Sequence, residues 1–161
     1  MIEHPIEPVY DTNSKILILG SFPSVKSRES GFFYGHPQNR FWKVLAAVTD
    51  LEVPQTIEEK KAFLLKNHIA VWDVIQSCTI TGSSDSSIKN VVANDLSEIL
   101  NEAAIRRIYV NGRKAEQLYQ KYIYPVSEIE AVCLPSTSPA NAAWNLERLI
   151  DAWREIAENF D

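Results

Sequence analysis

The side chains best suited to chemistry lie in one segment, which runs from Gly20 to Trp42 with the sequence GSFPSVKSRESGFFYGHPQNRFW. It contains three adjacent aromatic rings, several hydroxyls, a histidine and Asn39, whose amide group can both donate and accept hydrogen bonds. Together these groups suit the binding of a flat polar ring. Prolines and glycines occur throughout, so we expect an irregular loop. Compact domains keep such long loops mainly for binding or catalysis.

Several other kinds of catalytic site lack the residues they need. The sequence has no Ser–His–Asp motif, no metal-ligand cluster and no phosphate-binding glycine-rich loop, and its three histidines are scattered. Its two cysteines do not suggest a disulfide framework and cannot supply the four ligands of an iron–sulfur cluster. We therefore expect no metal and no cofactor.

Strand and helix signals alternate along the chain. Short apolar runs predict four strands, at about 15–20, 69–72, 107–110 and 129–134. Periodicity and capping residues predict helices at about 39–49, 56–67, 94–103, 112–122 and 141–158, with a capping box at Thr56 and Glu59, a cap at Asn94 or Asp95, and a cap at Asn141. Residues 80–88 are expected to form a loop. This alternation predicts an α/β fold, a three-layer α/β/α sandwich around a mainly parallel four-stranded sheet.

In sheets of this type, ligands bind beyond the carboxyl ends of the strands. The loops that leave those ends are 21–39, 73–89, 111–113 and 135–141. We therefore expect all four to meet at one edge of the sheet, where they would form a single site.

Length and composition favour one domain over residues 1–161. At 161 residues and 45% hydrophobic, the chain can form one sizeable core. It contains no apolar run long enough to span a bilayer and no basic-plus-apolar leader, which predicts an intracellular, cytoplasmic protein.

The charge distribution leaves two interpretations open. A net charge of −5 mildly disfavours a nucleic-acid partner, because neutralisation of phosphates supplies much of the affinity for DNA. The predicted site loops nevertheless carry several basic residues: Lys26, Arg28, Arg40, Lys89 and Arg113. A polarised DNA-binding surface and a set of merely solvated charges are equally good interpretations.

Three ordered motifs give the chain a family resemblance. Residues 36–42 (HPQNRFW), 110–115 (VNGRKA) and 134–141 (LPSTSPAN) resemble motifs of the uracil-DNA glycosylase superfamily. The mismatch-specific enzymes of that superfamily carry an asparagine, and the classical uracil enzymes an aspartate, where this chain has Phe22. With its Gly-Ser-Phe-Pro turn, the chain is most similar to the hypoxanthine-DNA glycosylase branch, which acts on deoxyinosine.

This resemblance implies a monofunctional DNA glycosylase of base excision repair. Such an enzyme flips a deaminated base out of DNA, here with hypoxanthine favoured, and hydrolyses its N-glycosidic bond with water. It would bind DNA containing a deaminated base and no membrane, metal or iron–sulfur cluster, and would act as a monomer. The alternatives are a G:U or G:T mismatch-specific glycosylase, a non-catalytic damaged-DNA-binding module and, more remotely, a nucleoside hydrolase.

The resemblance also implies roles for individual residues. It makes Asn39 the catalytic residue, which would orient water or hold the base, although an asparagine before a helix is also a common N-cap. Tyr34 would stack on the base, with Phe32 or Phe33 as alternatives. Phe22 would line the base pocket or fill the core. The remaining expected contacts are Ser21 and Pro23 with the base, and Ser136, Thr137, Ser138 and Pro139 with DNA.

Two carboxylates near these loops could stabilise positive charge on the sugar. They are Asp73 and Asp85, and each is also a good turn or capping residue. In the last motif, Pro139 is the only apolar candidate for a wedge that would fill the gap left by a flipped base. The alternative is that residues 136–139 simply form a turn.

Overall fold

The computed structural model describes residues 1–159, and Phe160 and Asp161 lie outside this range. The strands of the described chain are β1 (Ile2–Glu3), β2 (Ile16–Gly20), β3 (Ile69–Asp73), β4 (Ile75–Thr79), β5 (Lys89–Ala93), β6 (Arg107–Asn111) and β7 (Ala131–Leu134). The helices are α1 (Val25–Ser30), α2 (Phe41–Thr49), α3 (Ile57–Lys66), α4 (Ser97–Glu102), α5 (Arg113–Leu118), α6 (Tyr124–Ser127) and α7 (Leu146–Trp153).

The central sheet has four parallel strands in the order β3-β2-β6-β7. All five residues of β2 are buried, as expected for a central strand covered on both faces. Ile16 and Ile18 pack in a cluster with α2, α3 and α7, whereas Leu17 and Leu19 pack in a cluster with α5. The predicted three-layer α/β/α arrangement with a parallel four-stranded sheet is therefore confirmed.

A second, antiparallel sheet was not predicted. It has the order β1-β4-β5, and its β4–β5 connection contains the expected loop, which includes a 3-10 turn at Asp85–Ser87. The burial of β4 alternates only in part and β5 is largely exposed, so neither strand has the apolar run that marks the central sheet. For this reason the sequence pattern did not reveal this second sheet.

Several predicted element boundaries are corrected by local hydrogen bonds. The segment after β2 is not irregular throughout, because Ser24 caps the short helix α1, which ends at Gly31 with φ +79°. The helix predicted over 112–122 continues beyond α5 as a π turn at Tyr119–Ile123. The predicted capping box of Thr56 and Glu59 at the start of α3 is confirmed.

Neither Asn141 nor Asn94 caps a helix, whereas Asp95, the other predicted cap before α4, accepts from the Ser97 backbone N–H at 2.9 Å. Helix α7 begins after Asn145, whose side chain accepts from the Arg148 N–H, whereas the Asn141 side chain donates to the Ser136 carbonyl. Before α4, the Asn94 amide donates to the carbonyls of Asp73 and Ile75. Both amides therefore fix loops at the carboxyl end of the sheet. Among residues 1–159, no helix is long and apolar enough to cross a membrane.

Candidate active site

A cleft of about 340 Å³ lies at the carboxyl ends of β2, β3 and β6. Gly20, Asp73 and Asn111, the last residues of these strands, contribute to its lining. The other lining residues come from three of the expected loops, 21–39, 73–89 and 135–141: Ser21, Phe22, Pro23, Ser24, Ser27, Phe33, Tyr34, Asn39, Ile80, Ser83, Ser84, Asp85, Ser86, Ser136, Thr137, Ser138 and Ala140. The parallel register of the strands thus brings distant segments together at one edge.

Asn39 is half-buried in the cleft wall and its two amide atoms have different environments. Its Oδ1 accepts from the Phe41 backbone N–H at 3.0 Å, which caps the start of α2, and from the Thr137 hydroxyl at 2.9 Å. A carbonyl oxygen has two lone pairs, so this acceptor is fully used. Among the described residues Nδ2 has no acceptor, and it is therefore available to donate to a group in the cleft.

The orientation of Asn39 is fixed by a hydrogen-bond chain that starts at β6. The Asn111 Nδ2 donates to the Thr137 hydroxyl at 3.0 Å, and the Asn111 Oδ1 accepts from the Thr137 N–H at 3.1 Å. Thr137 has no exposed surface. Its hydroxyl donates a hydrogen bond to Asn39 Oδ1, so this side chain positions Asn39, and its expected contact with DNA stays a prediction.

Arg40 joins the first motif to the last. Its Nη2 donates to the carbonyls of Ser138 and Asn141 at 2.8 and 3.2 Å, its Nε donates to the Thr137 carbonyl at 3.4 Å, and its Nη1 donates to the Trp144 carbonyl. The backbone N–H of Arg40 donates to the same Thr137 carbonyl. The guanidinium therefore stabilises the loop over residues 137–144, and its donors are not free to bind a phosphate.

Tyr34 has an unusual backbone and an unusual hydroxyl. Its φ is +53°, a left-handed value that is rare for bulky residues and marks either a turn or a strained functional site. Its ring stacks on Phe41 with centroids 3.8 Å apart, and its hydroxyl is buried without a hydrogen-bond partner. Burial raises the pKa of this hydroxyl, and the negative charge of Asp73 raises the pKa further. The nearby Asn111 amide lowers the pKa, but this effect is smaller than the other two. Tyr34 therefore stays protonated.

The Gly-Ser-Phe-Pro turn contributes the apolar side of the cleft. Phe22 is half-buried, packs against the core beneath β2 and β6, and has the Arg28 guanidinium 5.6 Å from its ring centroid. It thus both lines the cleft and contacts the core, which were the two expected alternatives. Ser21 donates to Asp85 Oδ1 at 3.3 Å, and Pro23 is buried in the cleft lining.

The last motif forms a tight, internally bonded loop. The Ser136 hydroxyl accepts from the Ser138 N–H and the Ser138 hydroxyl accepts from the Ala140 N–H, both at 3.1 Å. Ser136 and Ser138 are half-buried, and Pro139 is exposed at the tip. A second cavity of about 810 Å³, which includes Arg113 and Lys114, shares Ser136, Ser138, Ala140 and Asp85 with the cleft.

One pair of interacting side chains at the site, His4 and Asp73, does not belong to any of the sequence motifs. His4 Nε2 lies 2.7 Å from Asp73 Oδ2, and their side chains are 3% and 5% exposed. The residues are 69 positions apart, and the pairing of β1 with β4, together with an antiparallel bridge between Val9 and Val71, brings the N-terminal segment to this edge. Asp73 could be noted from the sequence as a carboxylate ending a buried strand, but His4 could not. Among the described residues, no group of three or more His, Cys, Asp and Glu could hold a metal ion.

Comparisons with known proteins agree on one family. A family model described as the uracil DNA glycosylase superfamily matches residues 7–157. Two proteins named hypoxanthine DNA glycosylase, from Methanosarcina acetivorans and Methanosarcina barkeri, are 36% and 32% identical to the chain and cover 92% of it, with 94% and 93% of their own lengths matched. The solution NMR structure of a candidate uracil DNA glycosylase from Methanosarcina acetivorans matches with a TM-score of 0.84 and 33% identity, over 99% of both chains.

Proposed function

The chain belongs to the uracil DNA glycosylase superfamily, as its motifs predicted, and we propose that it is a monofunctional DNA glycosylase of base excision repair that removes deaminated bases, with hypoxanthine favoured. The observation that carries this proposal is the amide of Asn39, whose oxygen is fully used and whose nitrogen can donate to a group in the cleft. The cleft volume lies at the low end of the range for small-molecule sites, roughly 300–1,000 Å³. This size suits one flipped nucleotide.

The available groups support stabilisation of the leaving base. As the glycosidic bond breaks, its electron pair leaves with the base, and a preorganised donor such as Asn39 Nδ2 stabilises the negative charge that develops there. A water oxygen bonds to C1′, its proton passes to solvent, and the departing base takes up a proton from solvent. Asn39 cannot also accept from this water, because its oxygen is already bonded twice.

The preference for hypoxanthine has two supports. Two relatives that match most of the chain are named hypoxanthine DNA glycosylase. In addition, Phe22 gives the Gly-Ser-Phe-Pro turn an apolar side chain where uracil-directed relatives have a polar one, and Arg28 lies over its ring.

The first prediction is that deoxyinosine in duplex DNA is hydrolysed faster than deoxyuridine. The test uses duplexes that are identical except for one base (hypoxanthine, uracil or undamaged), with single-turnover incubation and alkaline cleavage of the abasic product. Equal or faster release of uracil would contradict the hypoxanthine preference. Retention of damaged duplexes without any cleavage would instead indicate a damage-binding module.

The second prediction concerns Tyr34. We propose that the ring face opposite Phe41 stacks on the flipped base, so Tyr34→Ala should weaken binding to damaged DNA by about 1–3 kcal/mol while leaving binding to undamaged DNA nearly unchanged. Binding titrations with both duplexes measure the difference, and Tyr34→Phe is the matched control because it keeps the ring. Equal losses for both duplexes would assign Tyr34 a purely structural role.

Several finer assignments stay predictions. Contacts of Ser136, Ser138 and Pro139 with DNA agree with their place at the junction of the two cavities. The monomeric state, the cytoplasmic location, the independence from metals and the extent of the domain over residues 1–161 are likewise predictions, made from the sequence and its family resemblance.

A further inference from the structure

Gly20, Asp73 and the Tyr34 hydroxyl form a buried polar part of the cleft lining, which we call the cleft floor. A Cβ atom built on Gly20 would lie 2.5 Å from Asp73 Oδ1 and 2.9 Å from the Tyr34 hydroxyl. Both distances are shorter than contacts that real Cβ atoms show, so only glycine lets these two polar groups come together here. Among residues 1–159, the buried Tyr34 hydroxyl has no hydrogen-bond partner, and the hydrogen bond between Asp73 and His4 uses Oδ2 rather than Oδ1. Buried polar groups such as the Tyr34 hydroxyl are normally satisfied, which indicates that the floor is suited to a polar ligand.

His4 fixes the carboxylate at this floor. The Ile6 backbone N–H donates to His4 Nδ1 at 3.2 Å, so Nδ1 must be the unprotonated nitrogen and Nε2 must carry the proton. His4 Nε2–H therefore donates to Asp73 Oδ2. The imidazole ring is held between aromatic rings, with centroids 5.8 Å from Phe22 and 6.3 Å from Trp72. This leaves Asp73 Oδ1, which can only accept when the carboxylate is ionised, to meet a ligand in the cleft.

The geometry of a flipped nucleotide determines which atoms meet the floor. The sugar stays attached to the DNA backbone at the open end of the cleft, so the edge opposite the glycosidic bond reaches deepest. In hypoxanthine this edge is N1–H beside C6=O, and in uracil it is N3–H beside C4=O. In the parent bases adenine and cytosine, the corresponding ring nitrogen is bare and lies beside an amino group. Deamination thus converts an acceptor into a donor at this one position.

We infer that His4 is a positioning residue that holds Asp73 as a fixed acceptor for the ring N–H created by deamination. This inference rests on the proposed glycosylase function and names the base feature that the site recognises. The carboxylate accepts from the N–H of a deaminated base, whereas its lone pairs face the lone pair of a bare ring nitrogen in the parent base. The N-terminal segment is therefore part of the recognition site. This hydrogen bond discriminates between a deaminated base and its parent base. It does not discriminate against guanine, which carries the same ring N–H, so other residues of the cleft must exclude guanine.

The test measures binding to duplexes with a 2′-fluoro nucleotide, since the fluorine disfavours positive charge on the sugar and slows hydrolysis. One duplex carries hypoxanthine and the other carries unsubstituted purine, which has a bare N1. We expect the wild-type protein to prefer hypoxanthine by roughly 10- to 100-fold, because a hydrogen bond to a charged group is lost with purine. His4→Phe keeps the aromatic packing but removes the donor, and both it and Asp73→Asn should lose most of this preference.

His4→Gln keeps a donor near the position of Nε2 and should restore the preference, a rescue that a purely structural role would not produce. Glu3→Gln, at the exposed neighbouring position, is the control and should behave like wild type. Wild-type preference in both His4→Phe and Asp73→Asn would overturn the inference, and so would equal losses in His4→Phe and His4→Gln. Hydrolysis of an ordinary deoxyinosine duplex by the wild-type protein separates the two proposals, because its absence would contradict the glycosylase function itself.

Discussion

Asn39→Ala should lower the single-turnover rate of hypoxanthine release by roughly 10²–10³, the usual effect of removing one preorganised donor from a catalytic site. The side chain loses the Nδ2 group that can donate to the leaving base, whereas the DNA contacts outside the cleft are unchanged. Binding of damaged DNA should therefore fall much less than the rate. The measurement combines single-turnover hydrolysis with a binding titration on the same preparation.

Asn39→Asp separates catalysis from helix capping. Aspartate keeps an oxygen for the Phe41 N–H and the Thr137 hydroxyl, so α2 stays capped, but it replaces the amide donor with a negative charge. We expect Asn39→Ala to lose about 1 kcal/mol of unfolding free energy through the lost cap. Asn39→Asp should melt close to wild type yet be at least as inactive. An active Asn39→Asp protein would show that the donor is not needed and that Asn39 is a cap only.

The two roles of Asn39 illustrate what the sequence could and could not predict about the site. From the sequence, capping and catalysis are competing explanations of one asparagine. In the folded chain the two roles use different atoms. The cap uses the acceptor Oδ1, and only the donor Nδ2 remains available to a ligand in the cleft. The residue could be selected from its motif, but its chemistry depends on Thr137, which lies 98 positions away and saturates the oxygen.

The same limit applies to the fold. The central sheet could be predicted because a strand such as β2 is a continuous apolar run, ILILG followed by a turn. Strand β4 has the sequence IQSCT and is paired with the two-residue β1 and with β5 (KNVVA), so its pairing depends on tertiary contacts rather than on a local pattern. That pairing also brings His4 to Asp73, which explains why the cleft floor could not be derived from motifs.

Arg40→Lys should destabilise the protein and slow base release together. Lysine carries a single charged nitrogen and cannot reproduce the four side-chain contacts with the carbonyls of Thr137, Ser138, Asn141 and Trp144. Loss of charge-assisted hydrogen bonds of this kind should lower the unfolding free energy by on the order of 3 kcal/mol. For a chain of this size, that loss corresponds to a decrease in Tm of roughly 6–12 °C. Base release should also slow, because the loop no longer holds the Thr137 hydroxyl against Asn39.

Arg148→Lys is the matched control, because Arg148 is exposed, lies in α7 and, among the described residues, donates to one carbonyl, that of Ala143, while its guanidinium lies over the Trp144 ring. It should change the unfolding free energy by less than about 1 kcal/mol. Thermal melting and single-turnover hydrolysis below the transition distinguish the possible outcomes. If Arg40→Lys melted like wild type but lost affinity for all DNA equally, Arg40 would be a phosphate contact instead. A lowered Tm with slowed hydrolysis and little change in affinity for undamaged DNA is the result expected, since the loop around Thr137 is what orients the Asn39 donor.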